Sequence, residues 1–184
     1  MDRTLTPAEV LKQEHETAAL VLGAAAREVR SLGALGPPRT ERIGKILIFL
    51  HEFVECCHLD KEEQFLFPMV RACSPREGGD LVESLLEEHA GIRRLLKAAG
   101  RSFEAAARGD FGAGRLADDL GACVRCLGPH MAREDAVLWP LADRLLTPRD
   151  EESLLVAFEK VEAQEMGLGA RDRLLQLARE LAKE

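Results

Sequence analysis

The stretch His58-Leu-Asp-Lys-Glu-Glu-Gln-Phe-Leu-Phe-Pro-Met69 has a second copy in the same chain, His130-Met-Ala-Arg-Glu-Asp-Ala-Val-Leu-Trp-Pro-Leu141. His, Glu, Leu and Pro are identical between the copies, while Lys/Arg, Glu/Asp and Phe/Trp are conservative replacements. Upstream of each copy sits a second match, Leu11-x-x-Glu-His15 against Leu85-x-x-Glu-His89. A segment with a lone His followed by a segment with H-x-x-x-E is therefore repeated. Two stacked helical hairpins of this kind give approximate two-fold symmetry, an arrangement that can gather matched residues around one axis.

The periodicity outside the repeat is helical, with no convincing alternating strand. Thr6-Pro7-Ala8-Glu9 has the form of a capping box with Pro at the first helical position. The first helix is expected to run to about Ser31, ending in the Gly33–Pro38 breaker. A second begins near Thr40 and continues through His58 toward Pro68. The third, from about Asp80 to Arg108, carries Leu85, Leu86, Ile92, Leu95 and Leu96 at three-and-four spacing. Gly109–Gly114 separates it from a fourth, from about Arg115 to Leu145. A last helical stretch, Pro148 to Lys183, is interrupted at Gly167-Leu-Gly169. The expected fold is all-α: an antiparallel up-down four-helix bundle over residues 1–147, with a C-terminal helical extension, 148–184, packed on it.

Residues at i and i+4 share a helix face, so His58 with Glu62 and His130 with Glu134 can each aim a nitrogen and a carboxylate at one point. His58 and His130 each precede a proline by ten residues, about 15 Å along a helix. His15 and His89 lie roughly 12–14 Å into the helices that run the other way. Four imidazoles and two carboxylates thus fall in one layer. Buried without a cation, they would be very costly. They suit a pair of iron ions, with manganese or zinc as alternatives. If the carboxylates bridge and an oxo or hydroxo group joins the ions, two coordination positions stay open for a small molecule.

The 184 residues fit one domain, and the net charge of -7 disfavours a nucleic-acid surface. There is no stretch apolar enough to span a membrane and no visible signal peptide, so a cytoplasmic protein is expected. The five Cys then read as thiols. With no Tyr in the chain, any mechanism using a tyrosyl radical of its own is excluded.

These residues resemble the hemerythrin-like (HHE cation-binding) family, from Leu5 to about Leu146, with E-H on helices one and three and H-x-x-x-E on helices two and four. Cys57-His58-Leu59-Asp60-Lys61-Glu62-Glu63, followed by Leu66-Phe67-Pro68, is similar to the C-H-H-x-K-E-E…L-F-P run of one bacterial branch. The tail around Phe158–Glu162 and Gly167–Gly169 resembles that branch too. The resemblance implies a non-haem di-iron centre that binds dioxygen or related ligands, with His15, His58, Glu62, His89, His130 and Glu134 as ligands. Two departures stand out. Oxygen-carrying members have a second His on the third helix, where this chain has Arg93 at i+4 from His89. The branch often has a second His after the first, where this chain has Leu59. Two open positions suit reduction of peroxide or oxygen better than reversible carriage.

The remaining candidates have plainer readings. His51, seven residues before His58, is expected as a core or rim residue, facing the axis with Cys123, its counterpart in the repeat. Cys123-x-x-Cys126 lies within a helix and reads as packing. Cys56 and Cys57 read as packing or interface residues. Glu14, Glu63, Glu88 and Asp135 read as solvated or as orienting imidazole N–H groups rather than as direct ligands, and Phe65, Phe67 and Trp139 as core packing that would also keep the layer dry. Arg171–Glu184 reads as the solvated side of a helix. The expected function is binding, and in one reading reducing, dioxygen, peroxide or nitric oxide. The alternatives are an iron or oxygen sensor or storage module acting through a partner, and a bundle held by one structural metal ion.

Overall fold

A computed structural model describes residues 5–34, 39–110, 113–167 and 169–183. All regular structure among the described residues is helical. Parts of the expected breaks, residues 35–38, 111–112 and 168, lie outside them. The first arm is α1 (Pro7–Gly33), which opens with the Thr6–Glu9 capping box. The second arm runs unbroken over 40–73 as α2 (Thr40–Phe49), π1 (Leu50–His58), α3 (Leu59–Lys61), π2 (Glu62–Leu66) and α4 (Phe67–Cys73). The third is α5 (Glu77–Arg108), which starts three residues earlier than expected and ends at Gly109 in the left-handed region. The fourth combines α6 (Ala113–Arg133), π3 (Glu134–Leu138) and α7 (Trp139–Leu145).

Two of the π turns, π2 and π3, have a local cause. Pro68 and Pro140 lack an N–H, and in an α-helix each ring would meet the carbonyl four residues back. The wider turn relieves that conflict and closes instead through the Phe67 N–H to the Glu62 carbonyl and the Trp139 N–H to the Glu134 carbonyl. Both π turns begin at the repeated Glu.

The long π1 segment corrects the expectation for His51. Seven residues are nearly two α-turns, but a turn closed at i+5 holds more than 3.6 residues, so His51 falls out of phase with His58. Its side chain is 64% exposed and its Nδ1 pairs with Glu55. Cys123, its repeat counterpart, sits in regular α6 and is buried.

After the fourth arm come α8 (Pro148–Val161), capped by Thr147 and Asp150, then π4 (Glu162–Met166) and α9 (Ala170–Lys183). α8 lies against α1, α3 and π2, π4 against π1, and α9 against α1 and α2. Arg27 and Arg42 both donate to the Leu181 carbonyl, satisfying the open end of α9 and complementing its dipole. Leu174, Ala178 and Leu181 supply the buried face of α9, so the tail is amphipathic rather than wholly solvated. No helix among the described residues is long and apolar enough to cross a membrane.

Candidate metal centre

Each arm delivers one buried imidazole to a common layer: His15 from α1, His58 from π1, His89 from α5 and His130 from α6. They meet in two pairs. The Nε2 atoms of His15 and His58 are 3.1 Å apart, and so are those of His89 and His130. Glu62 and Glu134 stand between the pairs. Glu62 places Oε1 3.6 Å from His58 Nε2 and Oε2 3.5 Å from His89 Nε2. Glu134 places Oε2 3.3 Å from His15 Nε2 and Oε1 3.3 Å from His130 Nε2. Each carboxylate thus offers one oxygen to each pair, as a bridging carboxylate does.

Every imidazole is held from behind. Nδ1 of His15 donates to Asp135 at 3.0 Å, and that of His58 to Glu14 at 2.9 Å. Nδ1 of His89 donates to Glu63 and that of His130 to Glu88, both at 2.7 Å. Two of these bonds, Glu63 to His89 and Asp135 to His15, cross between the halves of the repeat. With Nδ1 as donor, each neutral ring turns the lone pair of Nε2 inward.

The inward-facing set fits metal ions. Lone pairs only 3.1 Å apart repel unless a cation or proton lies between them. Neighbouring corners of an octahedron with bonds of about 2.1 Å are separated by nearly that distance. All four side-chain oxygens of Glu62 and Glu134 are buried with no hydrogen-bond partner among the described residues, a costly state that bound metal cations would resolve. Without them, burial and the nearby Glu134 drive the Glu62 carboxyl well above its usual range. Burial acts on Glu134 too, but His15 and His89 outweigh it and hold that group low. Burial prevails at His58 and His130 and keeps those rings neutral. At His15 and His89 burial is outweighed by Glu134 and by the outer carboxylates, which raise both.

A further ring of groups fixes the outer carboxylates. Lys61 Nζ donates to Glu14 at 2.5 Å, and Arg133, its counterpart in the repeat, donates to Glu88. Arg93 donates to Glu63 at 2.5 Å, and the Trp139 indole to Asp135 at 2.9 Å. Arg93 therefore positions a neighbour of His89 instead of supplying a fifth ligand. Sequence reasoning passed over Lys61 and Arg133, although their matched places in the repeat were a usable signal. Phe67 lies 5.3 Å from the His89 ring and Trp139 5.5 Å from His15, centre to centre, whereas Phe65 is only partly buried. Burial pushes the Cys57 and Cys123 thiols up to about 12, which suits packing rather than thiolate chemistry.

The family model described as the Hemerythrin HHE cation binding domain matches residues 6–142, a span that contains all six inward-facing residues. The chain belongs to the hemerythrin HHE cation-binding family. Among curated relatives, this hemerythrin-family chain is 27% identical over 164 residues to Uncharacterized protein Rv1995 of Mycobacterium tuberculosis strain H37Rv. It has the same identity, over the same length, to Uncharacterized protein Mb2018 of Mycobacterium bovis. The alignment covers 89% of this chain but 64% of the relatives, so the chain spans a little under two thirds of their length. No solved structure matches it.

Proposed function

We propose that the layer holds two iron ions, one on His15 and His58 and the other on His89 and His130, with Glu62 and Glu134 bridging them. The reading rests on four buried carboxylate oxygens that lack donors, set between two pairs of inward-facing nitrogens. In this reading the four arms form an antiparallel up-down bundle over 1–147, and 148–184 packs on its outside. Manganese or zinc would accept the same donors. When bound, the iron pair supplies exchangeable electrons and coordination positions for dioxygen, peroxide or nitric oxide. The chain's own groups set the conditions for that chemistry. The outer carboxylates keep each Nε2 lone pair aimed inward, and Phe67 and Trp139 exclude water beside His89 and His15. A cytoplasmic setting agrees with the free thiols of the described cysteines.

Anaerobic ferrous loading, metal analysis and then exposure to oxygen test this directly. Two irons per chain and a visible absorption that develops with oxygen are expected. If the absorption reverts under vacuum the protein is a carrier, and if it persists the protein performs oxidation chemistry. One redox-inert ion per chain would refute the di-iron reading and favour a structural metal.

A further inference from the structure

The two halves of the repeat share a construction but not their surroundings. Behind His58, Lys61 is 0% and Glu14 2% exposed. Behind His130, the matching Arg133 is 37% and Glu88 32% exposed. The difference comes from the C-terminal segment. Glu162 of π4 accepts a second hydrogen bond from Lys61 Nζ at 2.6 Å, and the Phe158 ring of α8 lies 5.6 Å from the same atom. Among the described residues, nothing equivalent covers Arg133, whose other partner is the Ser84 hydroxyl at 2.9 Å. The other two outer carboxylates, Asp135 and Glu63, both reach solvent, so the contrast lies between His58 and His130.

We infer that α8 and π4 clamp one of the two metal positions, so that the ion on His15 and His58 exchanges slowly and the ion on His89 and His130 exchanges readily. The inference rests on the two-iron reading above. An ion leaves when its imidazoles swing away from it. His58 can swing only if Glu14 releases Nδ1, and Glu14 is fixed by Lys61, which in turn is fixed by Glu162 and covered by Phe158. A fully buried ammonium does not give up its partners readily. Release from this position therefore requires the C-terminal segment to lift. His130 needs only the Glu88–Arg133 pair to part, and solvent-exposed ion pairs part easily. Lys61 and Glu162 are positioning residues that act on the ion through Glu14 and His58.

The test loads the full chain with ferrous iron without oxygen, adds an excess of a coloured ferrous chelator and follows iron transfer. Release in two phases of equal amplitude is expected. Glu162→Gln, at a partly exposed position, speeds the slow phase about tenfold and leaves the fast phase unchanged, the fast phase reporting that the rest of the layer stays folded. Arg133→Gln speeds only the fast phase. Release of both irons in one phase, or a slow phase that Glu162→Gln does not move, overturns the inference and leaves the two-iron reading standing. A chain that loads fewer than two irons overturns both.

Discussion

At Glu62, burial and the charge of Glu134 both oppose ionisation, so the folded protein holds this carboxyl above the ordinary value of 4.5. The sign of the consequence follows from linkage. Below about pH 4.5 the carboxyl is neutral in folded and unfolded chains alike, and the folded state is not penalised. As pH rises toward the folded value, the unfolded chain ionises while the folded one resists, and stability falls. Glu62→Gln removes that decline. For metal-free protein at pH 7 it is expected to add about 1–3 kcal/mol, or roughly 2–4 °C of melting temperature per kcal/mol. The gain should shrink toward pH 4, and the substitution should sharply weaken iron loading. Melting curves of chelated protein across this pH range check it; an unchanged or lower melting temperature for the variant at pH 7 would contradict it. At this scale the repeat made the inward-facing set legible, because matched residues in two copies of a hairpin must fall at matched heights. His51 was misread because its position was inferred with an α-helical period where the backbone follows a wider one.

Among the elements, the turn from the second arm into the third depends on one glycine. A Cβ at Gly78 would stand 2.8 Å from the Val70 carbonyl oxygen and 3.0 Å from Val70 Cγ1, whereas nothing lies within 4 Å of a Cβ at Gly79. Gly78→Ala therefore forces α4 and α5 apart, with an expected loss of about 1–3 kcal/mol. Gly79→Ala should be neutral or stabilising by up to about 1 kcal/mol, through helix propensity. Denaturant unfolding of the two variants side by side measures the contrast. α9 offers a second check. Arg42→Ala removes a donor to the Leu181 carbonyl and a partner of buried Glu28, and should raise hydrogen exchange along α9 more than along α5. Helix starts such as Thr6–Glu9 were readable because a capping box is purely local, and Thr147-x-x-Asp150 carries the same form. The docking of α8 and α9 was not readable in detail. It depends on which exposed stripe of the arms each amphipathic face meets, and no local pattern specifies that.

Across the whole molecule, the polar layer divides the apolar interior in two. One cluster holds Ala18, Ile92, Leu127 and Met131, with Leu174, Ala178 and Leu181 of α9. The other holds Leu11, Leu66, Leu85 and Leu138, with Leu154 and Phe158 of α8. Along α1 the change falls between Leu11 and Ala18, around His15; along α5 it falls between Leu85 and Ile92, around His89. Every arm passes through the layer, so the clusters communicate through crowded imidazoles and carboxylates that need protons or cations to hold them together. Iron should therefore couple two cores that are only loosely coupled without it. Calorimetry of iron-loaded protein under anaerobic conditions is expected to give one transition, with calorimetric and van't Hoff enthalpies in agreement. After chelation the transition should move to lower temperature, as loss of a bound ligand requires. It should also broaden, the calorimetric enthalpy exceeding the van't Hoff value as the smaller cluster, beneath α8, opens first. Hydrogen exchange locates that opening: amides of α4 and α7 should lose protection before those of α2 and α6. Equally sharp two-state melting with and without iron would mean that the arms alone carry cooperativity across the layer.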